Sequence, residues 1–167
     1  MGLFGKDKVK YRMRQQLLSF GDDFWIEDDK GSKAYRVDGK ALRIRDTWHL
    51  TDAAGQEVAT IKERKLGLRD KMVIEVGGRK VVVKKALVGV RDRFAIDVED
   101  GKDLHAKGNF LDHEYEIEES GIGGKVAEIS KKWFRVRDTY GVEVDPGADQ
   151  AMILAITVAI DALTSLE

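Results

Sequence analysis

The chain has no cysteine, which excludes disulfides, cysteine-ligated zinc and thiol catalysis together. It also lacks a surplus of either charge: 29 Lys and Arg stand against 30 Asp and Glu, a formal net charge of -1. A dedicated nucleic-acid binder usually carries a basic excess over the domain, so nucleic acid is not the expected partner. No secretory signal is expected, because Met1 to Lys10 carries charges where an apolar core should stand. The start resembles a myristoylation motif only at Gly2, and Lys6 occupies the position that wants Ser or Thr. There is no low-complexity tract and no apolar run approaching the roughly 20 residues that span a bilayer. What remains is a 167-residue chain, 43% hydrophobic and 35% charged, with the size and balance of one globular, cytoplasmic domain.

A repeat organises this domain. Arg-Asp recurs at Arg45-Asp46, Arg69-Asp70, Arg91-Asp92 and Arg137-Asp138, with apolar residues at the same offsets on both sides. Leu42 and Ile44 precede the first pair and Trp48 and Leu50 follow it; Phe134, Val136, Tyr140 and Val142 frame the last. Gly21-Asp22 and Asp112-His113 are weaker copies, giving intervals of 24, 24, 22, 21 and 25 between successive second residues. Apolar and polar residues alternate at period two within each unit, the mark of a half-buried strand. The alternation keeps its phase across each dipeptide, so each unit predicts a hairpin with the dipeptide at its turn. Between units lie Gly-containing turn signals such as Asp29-Lys30-Gly31-Ser32, Ala54-Gly55, Gly77-Gly78, Asp100-Gly101 and Gly121 to Gly124. Six hairpins make about twelve strands, over about 9–144, and a sheet that large tends to close.

A barrel that wide needs something in its lumen. Asp145-Pro146 offers a cap and a first-turn proline, predicting a helix over about 146–165. Between Ala151 and Ala162 only Thr157 and Asp161 interrupt an apolar sequence. A helix apolar on all sides is buried in protein or in a membrane, and this run is too short to span. The expected fold is therefore mainly β: a closed antiparallel barrel of about twelve strands enclosing a central hydrophobic C-terminal helix, with 1–167 forming one domain.

The repeated Arg-Asp hairpins, the stretch Lys131 to Tyr140 (Lys-Lys-Trp-Phe-Arg-Val-Arg-Asp-Thr-Tyr) and the closing apolar helix resemble the LURP-one-related family. That family belongs to the tubby C-terminal-like superfamily, with the phospholipid scramblases as further relatives. The resemblance covers about Tyr11 to Leu163 and implies the same helix-filled, twelve-stranded barrel. It further implies a membrane connection, since tubby-like domains bind phosphoinositides and scramblases act at membranes. The absence of cysteine argues against a lipid anchor of the scramblase kind.

Among candidate sites, Lys6, Lys8, Lys10, Arg12 and Arg14 alternate, so an extended segment places five cations on one face. Such a stripe suits anionic lipid head groups, each cation contributing about 1 kcal/mol near a charged surface. The competing interpretation is a solvated strand face whose lysines discourage aggregation. The Arg-Asp pairs read as structural ion pairs, because each Asp cancels the field of its Arg. Lys84-Lys85 and Lys131-Lys132 read as exposed strand residues. His49, His105 and His113 lack metal-ligand spacing and are read as surface or hairpin residues. Asp97 to Asp103 fails the calcium-loop register and reads as a turn. Trp48 has the inward phase, whereas Trp25 and Trp133 have the outward one and are candidates for a partner or membrane contact.

With no nucleophile–base pair or metal set apparent, the expected function is a non-enzymatic binding or scaffold domain requiring no cofactor and no metal. Its expected partners are anionic membrane lipids of phosphoinositide type, met peripherally without a transmembrane segment, or another protein. The alternative is a small-molecule carrier or enzyme with a pocket at the barrel mouth.

Overall fold

The computed structural model describes residues 8–14, 24–38, 47–66, 69–86, 93–121, 123–133 and 139–165. Twelve strands precede one helix: β1 (Val9–Arg14), β2 (Phe24–Asp28), β3 (Lys33–Asp38), β4 (Thr47–Asp52), β5 (Glu57–Leu66) and β6 (Arg69–Val76). They continue as β7 (Arg79–Ala86), β8 (Arg93–Val98), β9 (Leu104–Asn109), β10 (Glu114–Glu119), β11 (Lys125–Ser130) and β12 (Thr139–Val144), before α1 (Gln150–Ser165). Each strand pairs antiparallel with the next, and β1 closes on β12 from Val9↔Val144 to Arg14↔Thr139. The result is a closed barrel with no free sheet edge.

The period-two pattern fixes which side faces in. In β10, Tyr115 and Ile117 are buried while Glu114, Glu116 and Glu118 lie on the outer face. In β7, Val81 and Val83 are fully buried between outward lysines. Gly77 and Gly78 have φ of 57° and 78°, the left-handed pair that a two-residue hairpin matched to strand twist requires. That turn joins β6 to β7 as expected. Trp48 is in the core, and Trp25 and Trp133 are 38% and 40% exposed, in agreement with their phases.

Two expectations need correction. Arg69-Asp70 does not form its hairpin's turn: these residues open β6 and pair with Leu66 and Lys65. In this copy the chain reverses between Leu66 and Arg69, which pair with each other. The Asp112-His113 copy does lie in a turn, after β9, where the His113 N–H donates to the Phe110 carbonyl. Gly21-Asp22, Arg45-Asp46, Arg91-Asp92 and Arg137-Asp138 lie outside the described residues. The helix also starts later than Pro146. Asp145 Oδ1 accepts the Gly147 N–H at 3.0 Å, making a local turn, and Asp149 is the cap, accepting the Met152 N–H at 3.1 Å.

Every residue of α1 from Met152 to Leu163 is buried. The helix packs most closely on β5, β6 and β7. Larger side chains, including Phe94, Tyr115 and Tyr140, complete the core from other strands. Seven of the helix's buried side chains (Met152, Ile153, Leu154, Ile156, Val158, Ile160 and Leu163) are large and apolar. Burial of each is worth about 1.5–3 kcal/mol, against a net domain stability of about 5–15 kcal/mol. No helix among the described residues is long and apolar enough to cross a membrane. Truncation after Gly147 should therefore abolish folding, read as loss of the cooperative thermal transition; a stable monomeric barrel without α1 would contradict this account.

Candidate functional site

β1 carries the basic stripe on the outer wall while its inner face enters the core. Tyr11 and Met13 are buried, whereas Lys10 is exposed and Arg12 lies half-buried beside it. Lys8 stands half-buried just before the strand. Lys6 lies outside the described residues, and Arg14 is described only as the last backbone position of β1. The β1–β12 pairing sets Arg12 opposite Gly141 and Lys10 opposite Glu143. Because Gly141 has no side chain, the wall dips there. A groove of about 300 Å³ forms, lined by Lys10, Arg12, Asp28, Asp29, Trp133 and Glu143.

The structure thus brings two of the five predicted cations together with Trp133, an aromatic that lies 121 positions after Arg12. It also supplies what the local sequence did not show. Asp28 and Asp29 arrive from the end of β2, and Glu143 from β12, so carboxylates outnumber cations in the groove by three to two. Lys10 Nζ stands 3.9 Å from Glu143 Oε1, an exposed pair worth about 0–1 kcal/mol. The face can present a guanidinium and an ammonium beside an indole, but its field is partly cancelled.

A second polar constellation lies inside the barrel, at the C-terminal end of α1. His113 sits in the β9–β10 hairpin turn as expected, but it is buried and not on the surface. Its Nε2 lies 3.2 Å from Asp161 Oδ1, and its ring stacks on Tyr140 at 4.3 Å between centroids. The Tyr140 hydroxyl donates to Asp161 Oδ2. Burial first, then the Asp161 charge, pushes both Tyr140 and Tyr115 well above the usual phenol range, so both remain protonated. The sequence offered one signal for this cluster: a carboxylate in an otherwise apolar buried helix demands partners. Thr157, the other interruption, satisfies itself on the Ile153 carbonyl at 2.9 Å. At the opposite end, the Tyr11 hydroxyl donates to Gln150 Oε1 at 2.9 Å, and Arg79 meets Asp149 at 3.6 Å. The other two histidines face outward, His49 toward Glu57 and His105 toward Glu118.

The family described as LURP-one-related matches residues 9–161, nearly the whole barrel and most of its helix. The chain belongs to this family. A curated relative, the uncharacterized protein YxjI of Bacillus subtilis (strain 168), is 29% identical over 79 residues. That match covers 46% of this chain and 49% of the relative, so it spans about half the length of that protein. An X-ray structure of a protein from Arabidopsis thaliana superposes with a TM-score of 0.64 at 17% identity, covering 94% of this chain and 91% of that one. That likeness shows that the two chains share a fold. Family and barrel together suggest a binding domain of the tubby-like kind.

The buried cluster makes two expectations measurable. Tyr140→Phe removes a donor from a buried carboxylate and should cost about 1–3 kcal/mol in chemical denaturation. All four tyrosines of the chain are shifted upward, burial being the largest cause in each. Above about pH 10 the unfolded state releases phenolic protons that the folded state retains, so stability present below that pH is lost as pH rises further. Tyrosinate absorbance should therefore stay low through pH 10 and rise together with the loss of the far-ultraviolet β signal. A free-tyrosine titration near pH 10 in folded protein would contradict the burial.

Proposed function

We propose that the domain is a non-enzymatic binding module that docks peripherally on anionic phospholipid head groups of phosphoinositide type. The face that carries this reading is the outer wall of β1, with Lys8, Lys10 and Arg12, and with Lys6 and Arg14 extending the stripe in sequence. One observation supports it above the others: the half-exposed Trp133 lines the same groove as Lys10 and Arg12. An amphipathic indole beside cations is the side-chain chemistry that suits a bilayer interface. Asp28, Asp29 and Glu143 weaken the field, so binding should be modest and strongly dependent on salt. In this reading the whole chain acts as one cytoplasmic domain that visits the membrane surface.

A second reading, a small-molecule carrier with a pocket at the barrel mouth, is favoured by a separate observation. Beside the last turn of α1, around Gly108 and Leu111, the wall carries a half-open cavity of about 740 Å³.

Co-sedimentation with vesicles tests the first reading. Phosphatidylcholine vesicles containing a phosphoinositide should retain the protein, and pure phosphatidylcholine vesicles should not. Lys8→Glu combined with Lys10→Glu should reduce retention about tenfold or more, since each cation contributes about 1 kcal/mol. Trp133→Ala should reduce it further without altering the thermal transition. Equal retention on neutral vesicles, or no response to the charge reversals, would refute the reading.

A further inference from the structure

We infer that the cavity at the barrel mouth is a binding site for a single amphiphilic anion, a carboxylate or phosphate ester on an alkyl chain, with Arg93 as its head-group residue. The inference rests on the carrier reading and gives it a ligand class. The cavity's volume, about 740 Å³, lies within the roughly 300–1,000 Å³ of small-molecule sites. It crosses the wall, because inward-facing Phe94, Phe110 and Tyr115 and outward-facing Arg93, Lys107 and Glu114 all line it.

Its floor is aromatic. Phe94 meets Phe110 edge to face at 4.7 Å, and Phe110 leans on Tyr115 at 4.9 Å. Leu111, the residue after Phe110, is 68% exposed on the lip. A lone exposed leucine needs no explanation, but here it supplies the solvent-side wall of an aromatic-floored cavity. Gly108 holds β9 against β10, where a Cβ would come within 2.5 Å of the Glu114 carbonyl oxygen. The backbone beside the cavity is thereby fixed at a φ of 138° that a side chain rarely adopts.

Charge accounting selects an anion. Glu114 lines the cavity, yet its oxygens already accept from Ser130 Oγ at 2.8 and 3.0 Å and from the Lys131 N–H at 3.0 Å. Glu116 and Glu128 both turn to Lys125, at 3.8 and 3.1 Å. Lys107 is committed to Glu118 at 3.2 Å, and Lys85, the third cation of the lining, also has a partner. Exposed Arg93 makes no ion pair with another described residue, and its planar fork of donors matches a carboxylate or phosphate. Orientation follows from the helix. The last turn of α1 has no basic residue and ends in partly negative carbonyls, so an anionic head is disfavoured there. The head therefore sits at Arg93, and the alkyl chain lies over Phe94 and Phe110 toward Thr164.

The test uses four twelve-carbon probes below their micelle concentrations, with the full chain, by titration calorimetry: laurate, dodecyl phosphate, dodecyl maltoside and dodecyltrimethylammonium. Laurate or dodecyl phosphate should bind saturably, one per chain, and at least tenfold more tightly than dodecyltrimethylammonium. Arg93→Gln should weaken the anions at least tenfold and leave dodecyl maltoside unchanged. Leu111→Asp should weaken both the anions and the maltoside. Both substitutions fall on exposed side chains, so an unchanged melting temperature confirms that the barrel is intact. Equal affinity for the cationic probe, or anion binding indifferent to Arg93→Gln, overturns the ligand class while the carrier reading stands. No saturable binding of any probe overturns both. The better anion separates a fatty-acid head from a phosphate ester.

Discussion

A cylinder of twelve strands is too wide for its own inward side chains to meet at the centre, so closing the sheet and filling it are one problem. The chain solves both at the same place. The seam of the barrel pairs the first strand with the last, and the helix follows the last strand after only Asp145–Asp149. The seam strand then touches the helix directly, through Tyr11 and Gln150. Asp145 donates its N–H to the Val126 carbonyl, so the connecting turn is itself held against β11. Helix entry and seam closure are thus mechanically linked. Neither is stable alone, since an open twelve-stranded sheet exposes two edges and the helix alone exposes an apolar surface on every side.

An all-apolar helix in an apolar tube has little to fix its rotation or depth. Dispersion and burial are non-directional, and several seatings would bury similar areas. The polar contacts supply the direction that the core lacks. Asp149 and Gln150 hold the start of α1 to β7 and β1, on different parts of the wall. Asp161 holds its far end to His113 and Tyr140, from the β9–β10 turn and β12. Desolvating a carboxylate is costly, and the Tyr140 hydroxyl and the His113 ring offset that cost only in one geometry. A slide of one helical turn would leave Asp161 buried without either partner. The cluster therefore contributes more to a unique seating than to net stability.

Most of this fold was legible because it rests on period-two alternation. Trp48 and Trp133 show how far that signal reaches: one residue of phase separates a core tryptophan from a half-exposed one. Local turn chemistry was less decisive. Asp145-Pro146 and Asp149 are both competent caps, and the choice went to Asp149 because Asp145 spent its side chain on the Gly147 N–H. Arg69-Asp70 was misplaced by two residues because the alternation runs on through turn and strand start alike. What no local pattern could show was convergence. His113 and Asp161 are 48 positions apart, and only closure of the barrel around α1 brings them together. The groove's acids follow the same logic. Glu143 was predictable once the first and last strands were paired, whereas Asp28 and Asp29 depended on where β2 ends.

A filled lumen leaves the outer wall and the rim as the accessible surfaces. There the near-neutral composition of the chain sets the terms. The β1 groove holds two cations against three carboxylates, and the mouth cavity holds three of each. Neither accumulates the one-signed potential that steers a ligand from a distance. Selectivity in such sites must come from the groups whose hydrogen-bonding capacity is still unspent and from the apolar surface beside them. At the mouth, Glu114 is satisfied internally by Ser130 and Lys131, whereas exposed Arg93 has no ion-pair partner among the described residues. At the groove, Trp133 supplies apolar surface that the charges alone do not. Both places join a cation to an exposed or aromatic apolar wall.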